Sequence, residues 1–209
     1  MFKFEKLVFG DLGWGDEFLF AALMTITVSI LSMGLGLCLA IVTVWAKLIT
    51  NKITRLIANI YTTVVRGVPE LLVIYLIFFG GNTVVMSIAK LFGYNGYIEL
   101  NALTIGTIAI AFISATYSSE VLRAAYLAVN KGQIEAAKAL GLNKFQIFFK
   151  VMGPQILRHA LPGIGNVWQI TLKDTSLISV TGLVEIMRQT RIASNVEHSP
   201  LTFLVTAAL

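Results

Sequence analysis

Residues 131–142 read KGQIEAAKALGL. From Gln133 to Leu140 the residues are strong helix formers, Gly132 marks the start, and Gly141 is placed to end the helix in a left-handed turn. Such a helix, roughly 133–141, has about two and a half turns and is too short to be stable alone in water. Ala136 and Ala137 leave a bare surface that a partner's cleft can approach, and Glu135 offers a charge for a partner arginine. The alternative is a plain loop helix lying on a membrane surface, and the rest of the chain weighs between the two.

That remainder is mostly apolar. Of 209 residues, 56% are hydrophobic and only 13% charged, with a mean hydropathy of +0.81. Soluble domains carry about 25% charged residues, so this chain has too few to cover a water-facing surface. The composition implies an all-α, polytopic membrane helix bundle in a single transmembrane domain over 1–209. The net charge of +5 then bears on orientation in the bilayer and gives no indication of nucleic-acid binding. Cys38, the single cysteine, sits in an apolar run as a packing residue.

About five spans are expected from stretches near the ~20 residues that cross the hydrocarbon layer, at roughly 18–46, 53–80, 102–126, 156–179 and 201–209. The last is too short to cross and reads as a span cut short. Trp14 and Trp45 bracket the first as an interfacial belt would, and Ser32, Gly36 and Ala40 form a small-residue stripe for close helix approach. Before the first span Lys3 and Lys6 stand against Glu5, Asp11, Asp16 and Glu17. The first loop carries Lys47, Lys52 and Arg55 without an acid, the second only Lys90 and Glu99. The third carries Lys131, Lys138, Lys144, Lys150 and Arg158 against Glu135. This alternation predicts an external N-terminus and places 131–142 in the cytoplasm.

Charges within the spans are functional candidates by default. Arg66 and Glu70 stand four apart around Pro69, which kinks a helix; they read as a structural pair, or as a hinge or cavity wall. Glu120 neutralises Arg123 or lines a pathway. On the fourth span Asn166 and Gln169 precede Lys173, Asp174, Thr175 and Ser176, and Pro162 lies within it. Carboxylates, amides and hydroxyls on the spans can line a wet cavity for a polar solute. Glu70, Glu120, Asn166, Gln169, Asp174 and Ser176 are therefore the candidate pathway residues, with Asp174 also able to pair simply with Lys173. His159 and His198 have no second ligand at metal-binding spacing, so no metal site is expected. Without a nucleophile–base arrangement, no catalytic residue is proposed.

EAAKALG followed by VMGP resembles the EAA motif of ABC-transporter permeases, which runs Glu-Ala-Ala, three residues, Gly, nine residues, Ile-x-Leu-Pro. Glu135, Ala136, Ala137 and Gly141 match, Val151 and Pro154 stand at the right distances, and Gly153 replaces the usual leucine. RGVPELL at 66–72, SSEVLRAA at 118–125, ALPGIGNVWQ at 160–169 and LKDTSLISVTGL at 172–183 are similar to the polar amino acid uptake subfamily. Among its members the likeness is greatest to importers of histidine, lysine, arginine and ornithine, or of opines.

The resemblance implies a multi-pass subunit of the bacterial cytoplasmic (inner) membrane. It implies a second permease subunit, identical or homologous, two ATP-binding subunits, and an extracytoplasmic substrate-binding protein. Glu135, Ala136, Ala137 and Gly141 become the residues through which ATP hydrolysis on a partner is coupled to the spans. The chain has no G-x-x-x-x-G-K-[ST] phosphate loop, so ATP and Mg are expected on the partner and no cofactor on this chain. The competing function is an ion-gradient-driven secondary transporter or channel subunit. Such folds commonly carry inverted repeats, and no duplicated half is found here.

Overall fold

The computed structural model describes residues 4–10, 13–94, 96 and 101–208. Lys3, Asp11, Glu99 and Leu209 lie outside the described residues. The described chain is helical, without strands. Helix α1 spans Gly15–Leu48, α2 Lys52–Gly67, α3 Glu70–Leu91 and α4 Ala102–Ala128. The short α5 spans Lys131–Ala139 and is followed by one turn, α6, at Lys144–Gln146 and a π-helix over Ile147–Met152. Helix α7 covers Gly153–Asp174, a 3-10 segment Thr175–Thr181, α8 Ile186–Glu197 and α9 Pro200–Ala208.

Among the described residues, three helices are long and apolar enough to cross a membrane: α1, α3 and α4. The stretch read from sequence as one segment over 53–80 is two helices. Pro69 has no N–H to donate and forces Val68 out of the helical region, and both are extended, with ψ of 131° and 141°. The region 156–179 is α7 from Gly153 together with the 3-10 segment. Helix α8 has no counterpart among the expected segments.

Residue contacts divide the chain into two compact units. The first comprises Met1–Ser32, Pro69–Ile110 and Thr171–Leu209. Its cores are the cluster of Val28, Ile110 and Ile178, with Met24, Leu103 and Leu183 against it, and the cluster of Phe18, Ala193 and Phe203. Phe18 stacks on Phe203 at 5.9 Å between ring centroids, and Trp14 meets the same ring edge-on at 6.4 Å. Glu185 is fully buried and opens α8, its carboxylate accepting the N–H groups of Met187 (2.9 Å) and Arg188 (2.8 Å).

The second unit comprises Met33–Val68 and Ala111–Ile170. At Gly36 a Cβ would stand 2.1 Å from the Ser114 hydroxyl, so only a glycine lets α1 and α4 come this close. Tyr61 on α2 donates to the Phe112 carbonyl at 2.6 Å. Large apolar side chains such as Ile41, Val42, Leu56, Ile57, Leu76 and Phe79 are exposed, as a lipid-facing surface requires.

Candidate functional site

Helix α5 is built for display on one side and anchoring on the other. The Asn130 side chain caps its first turn, accepting the Gly132 N–H at 2.8 Å. At the other end Leu142 N–H reaches the Ala137 carbonyl (3.1 Å) and Gly141 N–H the Lys138 carbonyl (2.9 Å). This is a Schellman closure, and it needs the left-handed φ of +77° that Gly141 adopts. Ala137 is buried with Val129, Ile147 and Met152, and Ile134 and Leu142 pack on that cluster. Glu135, Ala136, Leu140 and Gly141 are exposed, and Leu140 and Phe145 are more than two-thirds so.

The connection to the next long helix is also ordered. Asn143 and Gln146 form a reciprocal capping box, with bonds of 2.9 and 3.0 Å. The π-helix then leads to Gly153, whose N–H reaches the Phe148 carbonyl. Gly153, at the motif position usually held by leucine, and Pro154 lie in the first turn of α7, directly continuous with the π-helix. Gln155 ties back to α5 by a 2.5 Å bond to Gln133. Pro162 is accommodated inside α7, on an exposed face.

Of the candidate pathway residues, Glu70 and Asp174 are brought together. Glu70 opens α3 directly after Pro69, Asp174 closes α7, and their carboxyl groups lie close enough to interact. The Lys173–Asp174 alternative is not what forms: Lys173 is exposed and in no ion pair among the described residues. The end of α2 at Gly67 and the start of α3 at Glu70 also remove the continuous helix on which a pairing of Arg66 with Glu70 was expected. Asn166 and Gln169 are exposed along α7, whereas the Ser176 hydroxyl is engaged by the Lys173 carbonyl at 2.7 Å.

Glu120 does hold Arg123, accepting its Nε at 3.0 Å and Nη2 at 2.8 Å on one oxygen. Its other oxygen holds Lys47, whose Nζ also donates to the Thr62 hydroxyl at 2.6 Å. Lys47 reads in sequence as a loop charge, yet its side chain is 5% exposed. A terminal lysine with a polar stripe on the next helix is the signal that would have found it, because α2 repeats polar residues at Arg55, Asn59, Thr62 and Arg66. These groups border a cavity of ≈ 540 Å³ lined by Lys47, by Asn59, Thr62, Thr63 and Arg66 of α2, and by Tyr117 and Glu120 of α4. The Arg66 guanidinium lies 5.5 Å from the Tyr117 ring centroid. No group of three His, Cys, Asp or Glu side chains suited to a metal ion occurs among the described residues.

A model of the family described as binding-protein-dependent transport system inner membrane component matches residues 32–209. The chain is 51% identical over 202 residues to the nopaline transport system permease protein of Agrobacterium fabrum (strain C58), covering 96% of this chain and 86% of that protein. It is 44% identical to the octopine transport system permease protein of Rhizobium meliloti, over 98% of this chain and 86% of the relative. The histidine/lysine/arginine/ornithine transport system permease protein of Escherichia coli (strain K12) is 36% identical, over 94% and 86%. Among solved structures, the crystal structure of an amino acid ABC transporter with histidines superposes with a TM-score of 0.78 at 29% identity, covering 93% of this chain and 86% of that one.

Proposed function

The chain belongs to the family of binding-protein-dependent transport system inner membrane components, and we propose that it is the permease subunit of an ATP-driven importer of basic amino acids or opines. Relatives named for nopaline, octopine and the basic amino acids support the substrate class. In this reading a loaded binding protein docks outside, a second permease completes the pathway, and two ATP-binding subunits drive it from the cytoplasm. ATP and Mg belong to those subunits.

The observation that carries the reading is α5. One side of this two-turn helix is locked into the hydrophobic cluster of Ala137, and the opposite side, with Glu135, Ala136 and Gly141, stands open. A helix too short to persist by itself is thereby held rigid enough to pass a push into α7. The test is reconstitution of the whole transporter in proteoliposomes with Gly141→Val. Uptake and substrate-stimulated ATP hydrolysis are expected to fall together while assembly persists; undiminished uptake would refute coupling through this helix.

Glu70 and Asp174 give the substrate reading its residues. A guanidinium or ammonium placed between two adjoining carboxyls satisfies oxygens of both, and Arg-type forks do so bidentately. Asp174→Asn is expected to raise the KM for arginine or octopine about tenfold, measured as uptake by the same complex. An unchanged KM would remove this pair from the pathway.

A further inference from the structure

We infer that an apolar groove on the second unit, bounded by α1, α4, the π-helix and α7, is a binding site for an anionic phospholipid of the cytoplasmic leaflet. One acyl chain lies in the groove and the phosphate sits at its basic mouth. The inference takes its sidedness from the charge alternation of the loops and is independent of which solute is carried.

Two apolar hollows make up the groove. One, of ≈ 600 Å³, is lined by Ile41, Val44, Trp45 and Leu48 of α1 and by Tyr126 of α4. The other, of ≈ 400 Å³, is lined by Leu37 of α1 and by Gly153, Leu157, Ala160 and Leu161 of α7. Leu122, Phe148 and Ile156 belong to both, so the hollows are continuous. Their volumes lie in the range of small-molecule sites. Gly153 and Ala160 keep the α7 wall low. A Cβ at Gly153 would stand 3.1 Å from the Phe148 carbonyl oxygen, so a larger residue here would crowd that carbonyl and take up the groove.

Depth and polarity both match one leaflet. Leu37 to Leu48 covers ~16.5 Å of helix, against ~15 Å for half the hydrocarbon layer. Polar lining comes at one end, where Trp45 and Tyr126, types that sit at headgroup level, have Thr50 beside them. The rim residues Ile41, Trp45, Leu157 and Leu161 are bulky and exposed. Helices in lipid approach one another over small residues, so this rim admits a slender chain and holds off a second helix.

Charge selects the headgroup. Residues 33–68 and 136–170 hold no Asp or Glu. The acids of this unit are Glu120, which is held by Lys47 and Arg123, and Glu135 on α5. Lys52 stands two residues beyond Thr50, and Lys144 one turn before Phe148; both are exposed and in no ion pair among the described residues. Bases at the cytoplasmic end of an apolar groove between helices attract an anionic lipid phosphate, whereas a zwitterionic headgroup brings them no net charge.

The permease–ATPase complex, purified in mild detergent and stripped of lipid, is titrated with phosphatidylglycerol and with phosphatidylcholine of matched chains. Bound lipids are counted by native mass spectrometry. Wild type is expected to bind phosphatidylglycerol about tenfold more tightly. Gly153→Leu and Leu161→Trp, which fill the groove from its floor and its rim, should each lose the tight site. Lys52→Gln combined with Lys144→Gln should keep a bound lipid and lose the preference. An elution volume equal to that of wild type shows that a variant remains assembled. Equal affinity for the two lipids in wild type, tight binding that survives both filling variants, or a preference that survives the double lysine change would each overturn the proposal. So would a benzophenone attached at Leu157→Cys, in a chain carrying Cys38→Ser, that cross-links to the neighbouring permease subunit. Uptake by the wild-type complex is measured separately, so loss of the lipid site leaves the importer reading standing.

Discussion

Lys47 and Glu120 show how one residue's burial sets the consequence of its replacement. Lys47 is nearly enclosed, with a carboxylate and a hydroxyl as its partners, while Glu120 has a second base in Arg123. Removing the acid therefore strands a buried ammonium; removing the base leaves Glu120 still neutralised. Glu120→Gln is expected to destabilise by about 3 kcal/mol and Lys47→Met by much less, read as the midpoint of thermal unfolding of the detergent-purified complex. Equal losses for the two would show that Lys47 is solvated. Sequence spacing reached the Glu120–Arg123 contact, because residues three apart share a helix face. It did not reach Lys47, which lies 73 positions from Glu120.

Among the elements, α8 depends on an unusual start. Glu is not a favoured N-cap, yet the Glu185 side chain takes two backbone donors in the opening turn. Burial pushes its carboxyl above the ordinary range, while the Met187 and Arg188 N–H groups and the charges of Arg191 and Arg188 pull it down. Because the folded value is raised, the folded state holds the proton more tightly. Its contribution to stability is present below the ordinary carboxylate range and declines as pH climbs through the raised value. Glu185→Gln, which keeps an acceptor oxygen, should flatten that decline, and Glu185→Ala should cost about 1 kcal/mol at acidic pH and less as pH rises. Thermal melts across acidic to neutral pH measure both; an Ala variant as stable as wild type would show that the cap contributes nothing. Helix α5, by contrast, was legible in its bounds to within two residues, since Gly132 and Gly141 are local signals read by local backbone geometry, whereas the Asn130 cap emerged only in the structure.

For the whole molecule, the charge alternation of the loops predicts that α5 faces the cytoplasm. Lys144→Cys, in a chain whose Cys38 is replaced by serine, should react with a membrane-impermeant maleimide in inverted vesicles and not in intact cells. Labelling in intact cells would reverse the orientation and detach α5 from any ATP-binding partner. The sequence by itself determined the helical membrane class and the presence of the short helix α5. Hydropathy, helix propensity and end signals act over a few residues and survive without tertiary context. Only the tertiary structure decided that Pro69 separates two helices, that Glu70 meets Asp174, and that Lys47 is buried against Glu120. Those outcomes depend on which side chains distant in sequence are brought within hydrogen-bond reach, and in a mostly apolar chain the few polar groups must find one another because lipid offers them no alternative partner.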